Sequence, residues 1–172
     1  MPDLTIRIKK KTDGTAALTC TRADGSTTWQ RQDKQLGLFF PLHDLTHCAV
    51  ESVLGLNRAF FGLLAEGWDI SDFSGTGLRD RLPLDAVLAE LIVGFIDLEM
   101  RTGTLMSADE CNEKIGVQFD EQKAPRPDLT IDDVQLAAIR GRRDELFAKW
   151  RAVRPGEALE VPFTRRGASS AA

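Results

Sequence analysis

The sequence predicts an α+β fold in which a small antiparallel sheet packs on a bundle of about four helices. Close to the N-terminus, apolar and polar side chains alternate between tight turns, a pattern typical of a β-meander. Over residues 40–152 the apolar side chains instead recur every three or four positions, which indicates amphipathic helices. A short alternating segment over 157–163 predicts a last strand that returns to the meander.

Length and composition are those of a single folded domain. The chain has 172 residues, of which 42% are hydrophobic and 28% charged, and this is enough for a sizeable core. We assign residues 1–172 to one domain. It consists of a meander over 1–35, a helical part over 40–152 and the last strand, followed by a tail over 164–172 that we expect to be disordered.

Charge and cysteine content narrow the expected partners and compartment. A net charge of −4 argues against nucleic acid as the main partner. The three cysteines are odd in number and scattered, which favours a reducing cytoplasm over a disulfide framework. No apolar leader and no apolar run long enough to span a membrane are recognised, so we expect a cytoplasmic protein without membrane contact. The expected partner is an unidentified small molecule, and the sequence is compatible with a homodimer.

The meander has three strands, predicted near residues 4–9, 15–22 and 26–32. The dipeptides Asp13-Gly14 and Asp24-Gly25 separate them, and Asp-Gly is strongly favoured in two-residue hairpin turns. The three strands are therefore expected to pair as consecutive antiparallel neighbours.

Four helices are predicted from their apolar stripes and end signals. The central helix begins at Pro41, a residue favoured in the first turn, and ends near Gly67, a common stop. The other three cover residues 84–101, 108–122 and 131–152. Their predicted N-terminal signals are Pro83, the pair Ser107 and Glu110, and the pair Thr130 and Asp133.

The central helix holds both histidines of the chain. His43, His47 and Glu51 are spaced four residues apart and therefore lie on one helical face. Two imidazoles and a carboxylate are good ligands for a divalent transition metal. Zinc is the first expectation, with iron or manganese as alternatives. Asp44 points about 100° away from His43, which suits a residue that orients a ligand or shuttles protons in catalysis.

Further acidic residues are candidates to complete the metal site. Glu99 falls inside the apolar stripe of the second helix, where a carboxylate needs a partner or an ion. Asp69 and Asp72 follow the central helix in a polar loop. The alternative for Glu99 is an ion pair with Arg143, which lies within the apolar stripe of the last helix.

Two resemblances rest on the histidine helix. The run from Phe39 to Glu51, FFPLHDLTHCAVE, together with the later GLLAEGWDISDF, resembles an uncharacterised family of small bacterial proteins to which no activity is attached. The core formed by His43, Asp44 and His47 is also similar to the H-D-x-x-H zinc motif of coenzyme Q biosynthesis proteins, which is followed by a distant glutamate. That similarity is local, because Ala59 stands near the place where those proteins carry the glutamate.

Three functional hypotheses follow from these patterns. In the first, the protein is a metal-dependent enzyme whose metal activates water for hydrolysis or decarboxylation-type chemistry. In the second, it is a binding or interaction module without a metal, and the histidine face hydrogen-bonds to Glu51 or packs against Trp68 or Phe61. In the third, His47 and Glu51 act as a metal-free acid–base pair.

Overall fold

The computed structural model of the chain describes residues 1–33, 38–74 and 82–166. Most of the tail over 164–172, the end of the loop that follows the central helix, and most of the link between meander and helices lie outside these ranges. Within them, four strands and five α-helices form an α+β fold, as the sequence predicts.

The sheet is antiparallel throughout, with the strand order β3-β2-β1-β4. Its strands are β1 (Leu4–Lys10), β2 (Ala16–Arg22), β3 (Thr27–Gln32) and β4 (Ala158–Phe163). The predicted return of the last strand is confirmed, since β4 pairs with β1 along its length. Alternate residues of β1 and β2 are fully buried, so one face of the sheet forms part of the core.

The helices lie between β3 and β4 in the chain. Those predicted over 84–101, 108–122 and 131–152 are confirmed to within two residues at each end. The bounds are α1 (Phe40–Leu54), α2 (Phe60–Glu66), α3 (Leu84–Thr102), α4 (Ala108–Glu121) and α5 (Asp133–Ala152), with a short 3-10 helix at Ile70–Phe73.

The prediction of one central helix is wrong, because the chain breaks it at Gly55. This residue ends α1 with φ +70°, a left-handed conformation that favours glycine. The chain then turns, and α2 begins at Phe60. The Glu51 carboxylate accepts hydrogen bonds from the backbone N–H groups of Phe61 (2.9 Å) and Gly62 (3.3 Å). A side chain of α1 thus satisfies donors that would be unpaired at the start of α2.

The start of α5 also differs from the prediction. The N-cap is Asp132, whose side chain accepts a hydrogen bond from the Gln135 backbone at 2.7 Å, and Gln135 reciprocates. The pair Thr130 and Asp133 is therefore not the cap. The capping box predicted for α4 is confirmed.

Two apolar clusters meet at α1. One contains the inner face of the sheet with α2 and the last turns of α5, and Leu45 and Ala49 of α1 belong to it. The other contains α3, α4 and the first half of α5, and Val50 of α1 belongs to it. Because both sides of α1 are packed, its remaining face, with His43 and His47, is directed into the space beside α3. None of the described helices is long and apolar enough to cross a bilayer.

Candidate metal centre

A cavity of about 570 Å³ adjoins the histidine face of α1. Its wall combines side chains of α1 and α3 with single residues from β3, α2, the 3-10 helix and α4, and with Leu82 before α3 and Gln122 directly after α4. The titratable side chains that line it are His43, Asp44, His47 and Glu90. The predicted histidine face therefore borders a space large enough for a small molecule.

His43 is held by a carboxylate of the neighbouring helix. Its Nδ1 lies 2.8 Å from Oδ2 of Asp97 on α3. The Phe39 ring stacks on the imidazole, with centroids 5.2 Å apart. Since Asp97 accepts the Nδ1 proton, Nε2 is the nitrogen that remains for a ligand.

His47 has carboxylates at both ring nitrogens. Nδ1 lies 3.3 Å from Oε1 of Glu51, and Nε2 lies 3.3 Å from Oε1 of Glu90 on α3. The two histidine rings are 4.9 Å apart, centroid to centroid. Both histidines therefore have a carboxylate at Nδ1, as metal-bound histidines commonly do, and Nε2 of His47 lies next to Glu90, which lines the cavity.

His43, His47 and Glu90 are close enough to bind one metal ion. Each offers a ligand atom, and the three atoms lie within 4.8 Å of one another. A tetrahedral ion with ligand distances of about 2.0–2.1 Å separates neighbouring ligand atoms by about 3.3–3.4 Å. The separation of 3.3 Å between His47 and Glu90 fits that spacing. Two imidazoles and one carboxylate leave a coordination position for water or substrate, as in catalytic sites.

The carboxylates control the protonation of His47. Burial lowers its pKa, but the hydrogen bonds to Glu51 and Glu90 outweigh burial and raise the pKa to about 10. Burial also raises the pKa of Glu51, against the opposing effect of His47 and the backbone N–H groups of α2. Without a metal, the His47 ring therefore carries a proton at neutral pH, held between two carboxylates. The neighbouring Cys48 stays a thiol, since burial raises its pKa to about 12.

Asp44 lies in the cavity wall and is only 4% exposed. Burial raises its pKa to about 6, although a hydrogen bond from Gln32 at 2.5 Å and the charges of the two histidines oppose the rise. The Oε1 atom of Gln32 is buried and has no hydrogen-bond partner among the described residues. A carboxyl group that titrates near neutrality beside a cavity is suited to proton transfer.

Glu51 was predicted as a metal ligand. It lies beside His47, but both of its carboxylate oxygens already have partners within the protein. One carboxylate oxygen contacts His47, and the other accepts hydrogen bonds from Phe61 and Gly62. This arrangement places Glu51 behind His47, where it orients the ring. Glu90 instead stands on the cavity side of His47.

Glu99, the other predicted ligand, lies at a different junction. It is 4% exposed and accepts hydrogen bonds from the Met106 backbone (2.8 Å) and from Nε of Arg140 (3.0 Å). It is not among the described residues that line the cavity. The alternative pair with Arg143 is wrong as well, because Arg143 binds Asp144 and Arg140 takes its place.

Asp69 and Asp72 form the capping box of the 3-10 helix, and Asp69 also pairs with Arg22 at 3.1 Å. Neither residue lines the cavity among those described. The same segment contributes Phe73 to the cavity wall instead. This segment therefore contributes an apolar side chain to the cavity wall and no metal ligand.

The sequence pattern does not single out Glu90 and Asp97, the two carboxylates of α3 at the site. Their spacing of seven residues places them two turns apart on one face of a helix. That signal shows that they lie on a common face, but not that the face meets the histidines of α1.

No family model, curated protein or solved structure matches this chain. The features that bear on function are therefore the fold and the His/His/Glu group itself. The resemblances to the small bacterial family and to the coenzyme Q biosynthesis proteins stay predictions.

Proposed function

We propose that the protein binds one divalent metal ion through His43, His47 and Glu90 and catalyses a hydrolytic reaction on a small molecule bound in the adjacent cavity. The observation that carries this proposal is the plan shared by the two histidines. A carboxylate at each Nδ1 leaves each Nε2 for a ligand, next to the Glu90 carboxylate. Zinc is the first expectation because the ligand set and the spacing suit it, with iron and manganese as alternatives.

The other polar residues have supporting roles in this proposal. Glu51 and Asp97 orient the imidazoles and increase their basicity. A bound metal would polarise a substrate carbonyl and lower the pKa of bound water. Asp44 accepts or returns a proton in the cavity wall, since its pKa lies near neutrality.

A second candidate function is a binding module without metal or catalysis. It is favoured by the position of His47, whose two ring nitrogens both lie 3.3 Å from carboxylate oxygens. A protonated imidazole between Glu51 and Glu90 satisfies all three groups without an ion. The two candidates therefore differ in whether a metal replaces the proton of His47.

Metal titration of tag-free, EDTA-treated protein distinguishes them. We expect about one equivalent of Zn²⁺ to bind by calorimetry and to remain through gel filtration, as measured by elemental analysis. His43→Ala and Glu90→Ala each weaken this binding at least 100-fold. Glu99→Gln and the exposed Glu113→Gln serve as controls and keep the stoichiometry, with thermal melting to verify folding.

Two outcomes would contradict the metal proposal. One is that neither zinc, iron nor manganese is taken up by the wild type. The other is that uptake is the same in His43→Ala and Glu90→Ala as in Glu113→Gln. Either result would leave the binding module as the supported function.

A further inference from the structure

We infer that the cavity selects ligands with an aromatic or apolar body and without negative charge. As a statement about the substrate of an enzyme, this inference rests on the proposed function. As a statement about binding, it concerns the cavity alone and is testable without a metal.

The apolar part of the wall is partly aromatic. The rings of Phe60 and Phe73 meet edge to face, with centroids 4.8 Å apart. Phe60 also lies 5.8 Å from the His47 ring, centroid to centroid, so the aromatic surface extends to the candidate metal ligands. A planar apolar body placed here is removed from water and contacts ring faces and edges. The apolar lining residues are Phe40, Phe60, Phe73, Leu82, Val87 and Leu91.

The charges that the described residues place around the cavity are predominantly negative. Asp44 and Glu90 line it, and no lysine or arginine is among the described lining residues. Behind the histidines stand Glu51 and Asp97. In the metal-free protein, the three carboxylates of Asp44, Glu51 and Asp97 outnumber the one positive charge of the protonated His47 ring. A phosphate or carboxylate ligand therefore meets a repulsive potential in the metal-free protein.

Uncharged polar groups complete the wall. Gln30 of β3, Gln118 of α4 and Gln122, which directly follows α4, line the cavity, and their side chains make no hydrogen bond to another described residue. Each primary amide offers two donors and an acceptor without charge. Such groups match the donors and acceptors of an amide or a similar neutral group on the ligand.

Three naphthalene probes of equal size separate charge from shape. They are 2-naphthamide, which is neutral, 2-naphthamidine, which is cationic, and 2-naphthoate, which is anionic. In EDTA-treated protein, ligand-observed NMR titrations should show that the amide and the amidine each bind at least tenfold more tightly than the naphthoate. Naphthoate binding as tight as naphthamide binding would overturn the inference, and so would the absence of binding by all three probes.

Substitutions in the cavity wall test whether the preference against anionic ligands arises in this cavity. Asp44→Asn should raise naphthoate affinity relative to naphthamide affinity at least threefold, and Glu90→Gln repeats the test from α3. Phe73→Leu is the control, since it weakens all three probes by a similar factor. An unchanged ratio in both carboxylate variants would overturn the assignment. Zinc uptake is measured separately on the same samples, so failure of the metal proposal and failure of this inference give different results.

Discussion

Replacing Glu51 with glutamine tests whether one buried carboxylate holds both His47 and the turn between α1 and α2. Glu51 is 1% exposed, and its oxygens contact His47 Nδ1 and the backbone N–H groups of Phe61 and Gly62. Glutamine keeps the size of the side chain but loses the charge and one acceptor oxygen. If the amide oxygen accepts from the start of α2, the amide NH2 group that remains cannot accept the Nδ1 proton of a protonated His47.

The expected loss follows from these contacts. A hydrogen bond to a charged group contributes about 1.5–3 kcal/mol, and removing one partner of a buried ion pair costs about 3–5 kcal/mol. Because Glu90 still contacts His47, we expect the lower end, a decrease of about 3 kcal/mol in the free energy of unfolding. Zinc affinity should fall about 10–100-fold, since the ring is no longer oriented from behind.

Urea unfolding of metal-free protein at pH 7 measures the first effect, and calorimetric zinc titration measures the second. Glu110→Gln, in the exposed capping box of α4, is the matched control. It should lose much less stability and keep the wild-type zinc affinity. A Glu51→Gln protein that loses less than about 1 kcal/mol and binds zinc like the wild type would refute the reasoning.

Three further predictions test other parts of the structure. Asp97→Asn should weaken zinc binding about 10–100-fold because His43 loses its carboxylate partner, and an unchanged calorimetric affinity would remove Asp97 from the site. Burial raises the Asp44 pKa from 3.8 to about 6, so the native state of the metal-free protein binds this proton more tightly than the unfolded chain does. Its free energy of unfolding should therefore fall by about 2 kcal/mol as pH rises from about 4 to about 6. In Asp44→Asn, urea titrations across this pH range should show this fall to be absent. Gly62→Ala should unfold at a markedly lower temperature, because the added Cβ would lie 1.9 Å from the carbonyl oxygen of Asn57, and a wild-type melting temperature would contradict that packing.

Local patterns were sufficient for much of the fold. The strands follow from alternation between Asp-Gly turns, and α3, α4 and α5 follow from apolar stripes with end signals. The return of β4 to the meander was predicted because an alternating strand needs a neighbour, whereas the tertiary structure shows that this neighbour is β1. The face shared by His43 and His47 required only the helical period. Each of these features depends either on residues that are close in the chain or on the need of an apolar face to be buried.

Local sequence patterns did not predict the break in the central helix. The apolar stripe continues from α1 into α2, and glycine inside a helical pattern is tolerated at moderate cost. The chain ends α1 at Gly55 because Glu51 can then receive the amides of Phe61 and Gly62. Those two hydrogen bonds join residues ten and eleven positions apart and exist only after the turn has formed.

The acidic residues show the same limit of local patterns. Glu99 was predicted to be buried and to need a partner, and it is buried, but its partner is Arg140 rather than Arg143. Those arginines lie one turn apart on α5, so the choice depends on how α5 is positioned along α3. Likewise, Glu90 and Asp97 approach the histidines only because α3 packs beside α1. Helical period shows which residues share a face, whereas the partner of that face is decided by the packing of helices distant in sequence.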